Sequence, residues 1–432
     1  MKQMKKKFIP YGKGSLSFEM PVDSLPLKEI TDFEKNNKRL TKKDVIKAIH
    51  SPEGTPGLHD IIQKKDKVIL LVPDITRRAG MDKVLPPLVD ELENTGVPYE
   101  NITLLFANGL HDKQSDEQKI SIIGEELFKR VPNIFDHDAD DENNLVEIGN
   151  IPGIGPLEVN RRVLQADKII CTGSVRYHRI AGFSGGGKII LPGISSRKSI
   201  LAMHSQDFKK GITKEYAGIT DNPFFKGMQK AANLVNPHFF VNTVVEPNGE
   251  ILDISAGSLE AVHKNCCESV KRIFSVKVKE KVPFVIVSAG GYPFDISWIQ
   301  SVKALANWIR VLEDGGWMII VGQCGEKSFA SNQTEMIKYE TVDQVEESLH
   351  KNFTMERYGL YRILLAASQK NIIPISDMSD ALVRKRNLKI VNGRNAEEKL
   401  NNAIRMVEMD IGMKYNYYLV NQGGSFLPVF DF

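Results

Sequence analysis

Between Arg176 and His204 the chain reads RYHRIAGFSGGGKIILPGISSRKSILAMH. Glycines at 182, 185, 186 and 187 precede Lys188, and histidines stand at 178 and 204. Glycine density of this kind lets a backbone pass close to a ligand or take up positive φ. Three chemistries compete for such a segment. Gly182, Gly187 and Lys188 satisfy the G-x-x-x-x-G-K spacing of a phosphate loop, but Ile189 stands where Ser or Thr should hold magnesium, so nucleotide hydrolysis is not expected. A purely structural glycine turn is the second. In the third, Lys188 anchors a cofactor.

The elements that must position these residues decide among the three. Residues 67–72 (KVILLV), 102–106 (ITLLF), 168–172 (KIICT), 284–287 (FVIV) and 317–321 (WMIIV) read as buried strands. They alternate with amphipathic segments such as residues 83–92, which end near the helix-stop Gly96. Continuous apolar strands between helices predict an α/β class with mainly parallel sheets flanked by helices on both faces. The charged stretch within 265–283, closing on a proline, marks a boundary. The expected organisation is a first α/β domain over 1–275, a second over 284–408, and a tail over 409–432. That tail carries Tyr415, Tyr417, Tyr418, Phe426, Phe430 and Phe432, and so aromatic a segment is expected to pack back on the first domain.

Polar loops follow these strands. Asp74, Ile75, Thr76 and Arg77 come after the first, with Arg78 next, and Asn108-Gly109-Leu110-His111 come after the second. Gly290-Gly291-Tyr292-Pro293 opens the second domain and leads to Gln300 and Lys303, three apart and on one face if helical. Ligands of open α/β sheets bind beyond the carboxyl ends of strands, so these loops are expected to converge on one active site in the cleft between the domains.

Taken together, DITR at 74–77, NGLH at 108–111, H-x-x-x-G-F-S-G-G-x-K at 178–188, PGI at 192–194, His204, and GGYP followed by Q-x-x-K from 290 to 303 resemble the nickel-pincer lactate racemases and their relatives. The resemblance runs from about residue 10 to about residue 425, with every piece in family order. It implies a racemase or epimerase of 2-hydroxy acids. It also implies a nickel-pincer nucleotide, a Ni(II)-pyridinium-3,5-bisthiocarboxylate mononucleotide, joined to Lys188 by a thioamide. Two sulfurs and a ring carbon would hold the nickel, with His204 completing the square plane. His111 and His178 would be acid and base. The loop of Asp74, Ile75, Thr76 and Arg77 would contact the cofactor, and Gln300 and Lys303 the substrate. Relatives keep a Trp or His near the substrate where this chain has residues 355–362, with Tyr358 and Tyr361 as the candidates.

These residue types suit the reaction. A carbon bearing a hydroxyl beside a carboxylate can be inverted by losing and regaining hydride, and the hydroxyl proton must leave with it. Imidazole, with an ordinary pKa of about 6.5, suits that transfer, and mirror-image substrates present hydroxyls in two directions, so two bases are expected. Soft sulfur donors and one imidazole in a plane are compatible with nickel. His50, His59, His238, His263 and His350 are read as structural or surface residues, and His137 is open between that and a supporting role. Two rivals are a NAD-dependent 2-hydroxy-acid dehydrogenase and a non-catalytic nickel-binding protein. Against the first, no G-x-G-x-x-G joins a strand to a helix with an acidic residue about 20 positions on.

Bulk properties narrow the partners. Among 432 residues, 57 basic and 54 acidic ones leave a net charge of +3, too balanced to argue for nucleic acid or an anionic membrane. The basic N-terminus lacks the apolar run of a signal peptide, and Cys171, Cys266, Cys267 and Cys324 form no CxxC pair, which suits a reducing cytoplasm. The expected partners are a small 2-hydroxy acid and the enzymes that build and install the cofactor.

Overall fold

The computed structural model describes residues 4–21, 25–30, 38–77, 79–211, 215–325, 338–339, 341–380, 383, 388–412 and 414–430. The chain divides into two compact units: residues 36–273 form one, and residues 1–35 with 274–432 form the other. Among the described residues no helix is long and apolar enough to cross a membrane.

The chain opens with the antiparallel hairpin β1 (Met4–Tyr11) and β2 (Gly14–Pro21), then β3 (Leu25–Ile30). The unit of residues 36–273 follows. Its strands are β4 (Val68–Pro73), β5 (Ile102–Ala107), β6 (Asn133–Asp136), β7 (Leu145–Ile151), β8 (Gly155–Asn160), β9 (Lys168–Ser174), β10 (Tyr177–His178), β11 (Gly182–Phe183), β12 (Phe239–Val245) and β13 (Ile251–Gly257). Six of them form one sheet in the order β13-β12-β9-β4-β5-β6, parallel except for the β12–β13 edge pair. β7 with β8, and β10 with β11, make separate antiparallel hairpins.

β4 shows why the sheet is legible. Its residues Val-Ile-Leu-Leu-Val-Pro are buried throughout. Successive side chains of a strand point to opposite faces. Val68, Leu70 and Val72 accordingly pack with Val84, Leu85 and Leu88 of the helix Met81–Asn94, while Ile69 and Leu71 pack with Ile190, Leu191, Met228 and Ala231. A strand covered on both faces has no solvent side to alternate with, so it appears as one apolar run. The helix Met81–Asn94 stops where Gly96, at φ +89°, returns its N–H to Glu93 O and Val97 returns its own to Leu92 O.

The other unit adds β14 (Ser275–Val278), β15 (Val282–Ser288), β16 (Leu312–Val321), β17 (Asn371–Ile375), β18 (Asn416–Val420) and β19 (Leu427–Phe430). A five-stranded sheet in the order β17-β16-β15-β18-β3 is parallel throughout, and β14 pairs with β19. The five apolar runs singled out in the sequence all fall in strands of the two main sheets, and the α/β class with mainly parallel sheets holds.

The domain boundaries expected from sequence need correction. Residues 1–35 belong to the second unit, not the first. The described part of the aromatic tail is built into the second unit instead: β18 lies inside the second sheet, hydrogen-bonded between β15 and β3, while Phe432 lies outside the described residues. Tyr415 and Tyr417 pack there against Phe284, with ring centroids 5.6 and 6.3 Å away. Aromatic content announced burial but could not say which sheet would receive the strand. That choice rests on pairing across more than a hundred residues.

Candidate active site

Strand order in the first sheet reverses at β4: β5 and β6 follow on one side, β9 and β12 lie on the other. Such a reversal opens a crevice at the carboxyl ends of the flanking strands. β4, β5 and β9 are neighbours there, and each runs directly into a singled-out segment: residues 74–77, 108–111 and 175–188.

Asp74 is the buried hub of the first two. Its Oδ1 accepts the backbone N–H of Thr76 at 2.8 Å and the Thr76 hydroxyl, closing a turn over Ile75–Arg77. Its Oδ2 lies 3.4 Å from Arg77 Nε and 3.4 Å from His111 Nδ1. Burial pushes the carboxyl pKa up, but the hydrogen bond with His111, the Arg77 charge and the Thr76 hydroxyl outweigh it. Asp74 is thus held well below the usual carboxylate range. A permanent anion therefore stands behind His111, whose side chain is 46% exposed. Arg78 lies outside the described residues.

A buried amide network fixes the two loops to each other. Gln114 Oε1 accepts from Ile75 N at 2.7 Å, and Gln114 Nε2 donates to Asn108 Oδ1 at 3.4 Å. Asn108 Nδ2 donates to Asp136 Oδ1 at 3.0 Å and to His137 O at 3.2 Å. His137 is wholly buried; its Nε2 is 2.9 Å from Ser195 O, and its Nδ1 is 3.3 Å from Asn160 Nδ2. Its role is to pin the segment after Pro192. Gly109 N donates to Gly193 O at 2.9 Å, and a Cβ on Gly193 would stand 2.1 Å from Ile189 O, so glycine is required in the PGI sequence.

Lys188 sits half-buried in one 3-10 turn, Gly186–Ile189, and the next helix, Arg197–Lys209, begins eight residues later. A phosphate loop runs straight into its helix, so that reading is set aside on geometry too. The turn is gripped from below. Gly186 N donates to Asn242 Oδ1 of β12 at 2.8 Å, and His263 of the helix Leu259–Phe274 places Nε2 2.9 Å from Ser184 O. Asn242 was not found from sequence, and His263 was read there only as a structural or surface residue; both come from distant elements with no local motif. Gly186 has φ +52°, and a Cβ there would meet His263 Cδ2 at 2.6 Å. Gly186→Ala is expected to cost about 2–4 kcal/mol from left-handed strain plus overpacking. Urea unfolding of the apoprotein checks this; an unchanged midpoint would contradict the packing described.

His204 lies on the helix Arg197–Lys209, packed edge-on to Phe224 at 5.6 Å. Its Nδ1 is 2.8 Å from Ile200 O. A carbonyl only accepts, so Nδ1 carries the proton and Nε2 the lone pair. Burial lowers the His204 pKa to about 4, the nearby Lys188 charge adds to the fall, and the bond to Ile200 opposes it. The Lys188 amine and the His204 ring thus feel one another in the same unit.

Burial also lowers the pKa of His137 and of His263. Each of these three rings binds a proton more readily in the unfolded chain than in the fold, so stability is lost as pH falls below 6.5. His204 alone, moving from 6.5 to about 4, contributes a loss of about 3 kcal/mol across that window. Apoprotein unfolding midpoints should drop between pH 7.5 and pH 5; equal midpoints would rule out buried neutral rings.

His178 pairs with Gly182 in the small β10–β11 hairpin, and its Nδ1 accepts the N–H groups of Ile180 at 3.3 Å and Ala181 at 3.1 Å. Gln300 and Lys303 belong to the other unit, on the helix Trp298–Trp308 that follows β15; Lys303 Nζ donates to Gln300 Oε1. Tyr358 and Tyr361 lie on the helix Met355–Gln369, both buried, stacked at 6.4 Å. Among the described residues no three His, Cys, Asp or Glu side chains gather as a metal cage.

The family is decided by comparison. A family model described as the lactate racemase N-terminal domain matches residues 11–214, and one described as the C-terminal domain matches residues 277–420. The lactate racemase of Thermoanaerobacterium thermosaccharolyticum is 33% identical over 321 residues, 74% of each chain. This chain belongs to the lactate racemase family. It is an isomerase of the racemase type. The lactate racemase of Lactiplantibacillus plantarum is 29% identical over 314 residues, covering 72% of this chain and 73% of that one. The solved lactate racemase apoprotein from T. thermosaccharolyticum superposes with a TM-score of 0.86 at 26% identity, covering 98% of this chain and all of that one. A Thermotoga maritima protein, at TM-score 0.67 and 19% identity, covering 91% of this chain and 99% of that one, shares the fold. The N-terminal family model starts at residue 11, yet residues 11–21 pair within the unit that carries the C-terminal sheet.

Proposed function

We propose that this family member inverts a 2-hydroxy acid, lactate or a larger analogue, in the cytoplasm, using a nickel-pincer nucleotide tethered to Lys188. The observation that carries the reading is the His204 ring: held neutral, Nδ1–H spent on Ile200 O, Nε2 left with its lone pair, and the Lys188 charge close by. That is the state a histidine needs to ligate a metal, with the second ring nitrogen oriented by a carbonyl.

In this reading Lys188 would form the covalent link through its amine, His204 Nε2 would complete the nickel coordination, and the turn of Asp74, Ile75, Thr76 and Arg77 would border the cofactor. The bound group would supply the acceptor and donor of hydride at C2. The chain's own residues do the rest. His111, backed by Asp74, and His178 exchange the hydroxyl proton. Lys303, aligned by Gln300, meets the substrate carboxylate as a point charge. Enzymes that build and install the cofactor are required partners.

The test is a chiral one. Protein matured with those enzymes is incubated with a panel of 2-hydroxy acids in heavy water. Inversion without deuterium entering C2 is expected, because hydride returns without exchanging with solvent. Deuterium at C2, or accumulation of keto acid with free NAD as in a dehydrogenase, would overturn the proposal.

A further inference from the structure

The two histidines assigned to proton exchange face partners of opposite kind. His111 Nδ1 looks at the Asp74 carboxylate, 3.4 Å away, an acceptor. His178 Nδ1 is met by two backbone donors, Ile180 N–H at 3.3 Å and Ala181 N–H at 3.1 Å. We infer that the rings rest as opposite tautomers and divide the work, an inference that takes the racemase reading of the site as given.

A neutral imidazole carries one proton, and the partner of one nitrogen fixes which nitrogen has it. Beside a carboxylate, His111 keeps its proton on Nδ1, so Nε2 holds the lone pair and is the base. Beneath two N–H groups, His178 must keep Nδ1 unprotonated, so its proton sits on Nε2, which presents a donor. The substrate whose hydroxyl meets His111 reacts directly. Its O–H bond breaks and the proton forms the His111 Nε2–H bond. The cofactor of the proposed function would take the C2–H pair as hydride as the C2 carbonyl forms. His178 Nε2–H meanwhile holds a substrate oxygen. His178 can serve as base to the mirror-image hydroxyl only after its Nε2 proton passes to solvent and Nδ1 takes one up from solvent, which requires the turn at 180–181 to release Nδ1 or the ring to turn. Asp74 is thereby a positioning residue for His111, and the peptide groups of 180 and 181 position His178.

Long-range proton–nitrogen correlation of the imidazoles in 15N-labelled apoprotein, above pH 7.5, reads the tautomers directly. His111→Gln and His178→Gln identify the two sets of signals. The expected spectrum shows His111 protonated on Nδ1 and His178 on Nε2, and Asp74→Asn should erase the His111 preference while leaving His178 unchanged. The same tautomer in both rings, or a proton on His178 Nδ1, overturns the inference, and the wild-type spectrum alone suffices for that. The apoprotein measurement is separate from the chiral assay. Matching tautomers in an active racemase would sink only this division of labour, whereas failed inversion would sink the reading of the site.

Discussion

Lys188→Arg, matured beside the wild-type protein, is expected to gain no mass at residue 188 and to show no inversion of any 2-hydroxy acid. Arginine keeps the length and charge but has no primary amine to form an amide-like bond. The turn that carries Lys188 is held through the backbone of Gly186 and Ser184 by Asn242 and His263, so the variant should keep its fold. Circular dichroism and the unfolding midpoint verify that. An active Lys188→Arg protein, or an active wild-type protein with an unmodified Lys188, would end the tether proposal.

His111→Ala and His178→Ala are each expected to lower turnover by about 10²–10⁴-fold, the range for loss of a positioned acid or base. The equilibrium constant between mirror images is one, so each variant must lose kcat/KM by the same factor in both directions, however differently the two rings act. Nickel content should not change in either, since neither ring ligates the metal in this reading. Progress curves from both enantiomers, with metal analysis of the same samples, make the measurement. Full activity in either variant removes that residue from the mechanism. Loss of nickel together with activity would shift it to the metal site.

How much of this could be read from the residues alone depends on range. β4, β5 and β9 were legible because burial on both faces leaves an unbroken apolar run. Their loops were legible because a parallel sheet gathers its carboxyl ends, so Asp74, His111 and Lys188 could be placed at one edge without knowing the pairings. The glycines were visible as a cluster, but not their causes: His263 beneath Gly186 and the Ile189 carbonyl against Gly193 are contacts that spacing does not encode. Asp74 was marked as a cofactor contact. Its oxygens also meet Thr76, Arg77 and His111, and the contact with His111, which joins the loops after β4 and β5, has no local signature. The assignment of residues 1–35 and of β18 went astray for the same reason. Edge and insertion strands declare that they need a sheet, and only long-range pairing selects one.

The placement of β18 bears on how the molecule is made. Residues 36–273 are one uninterrupted stretch, whereas the other unit sets β15 beside a strand from residues 416–420, which in turn flanks β3 from residues 25–30. On the ribosome the lysine-bearing unit can complete its core while the companion sheet still waits for its final strand, with β3 already synthesised and unpaired. Domains emerging N-terminal first tend to fold as units. Slow translation late in the message would thus expose the edges of β15 and β3, and leave the lysine-bearing half untouched.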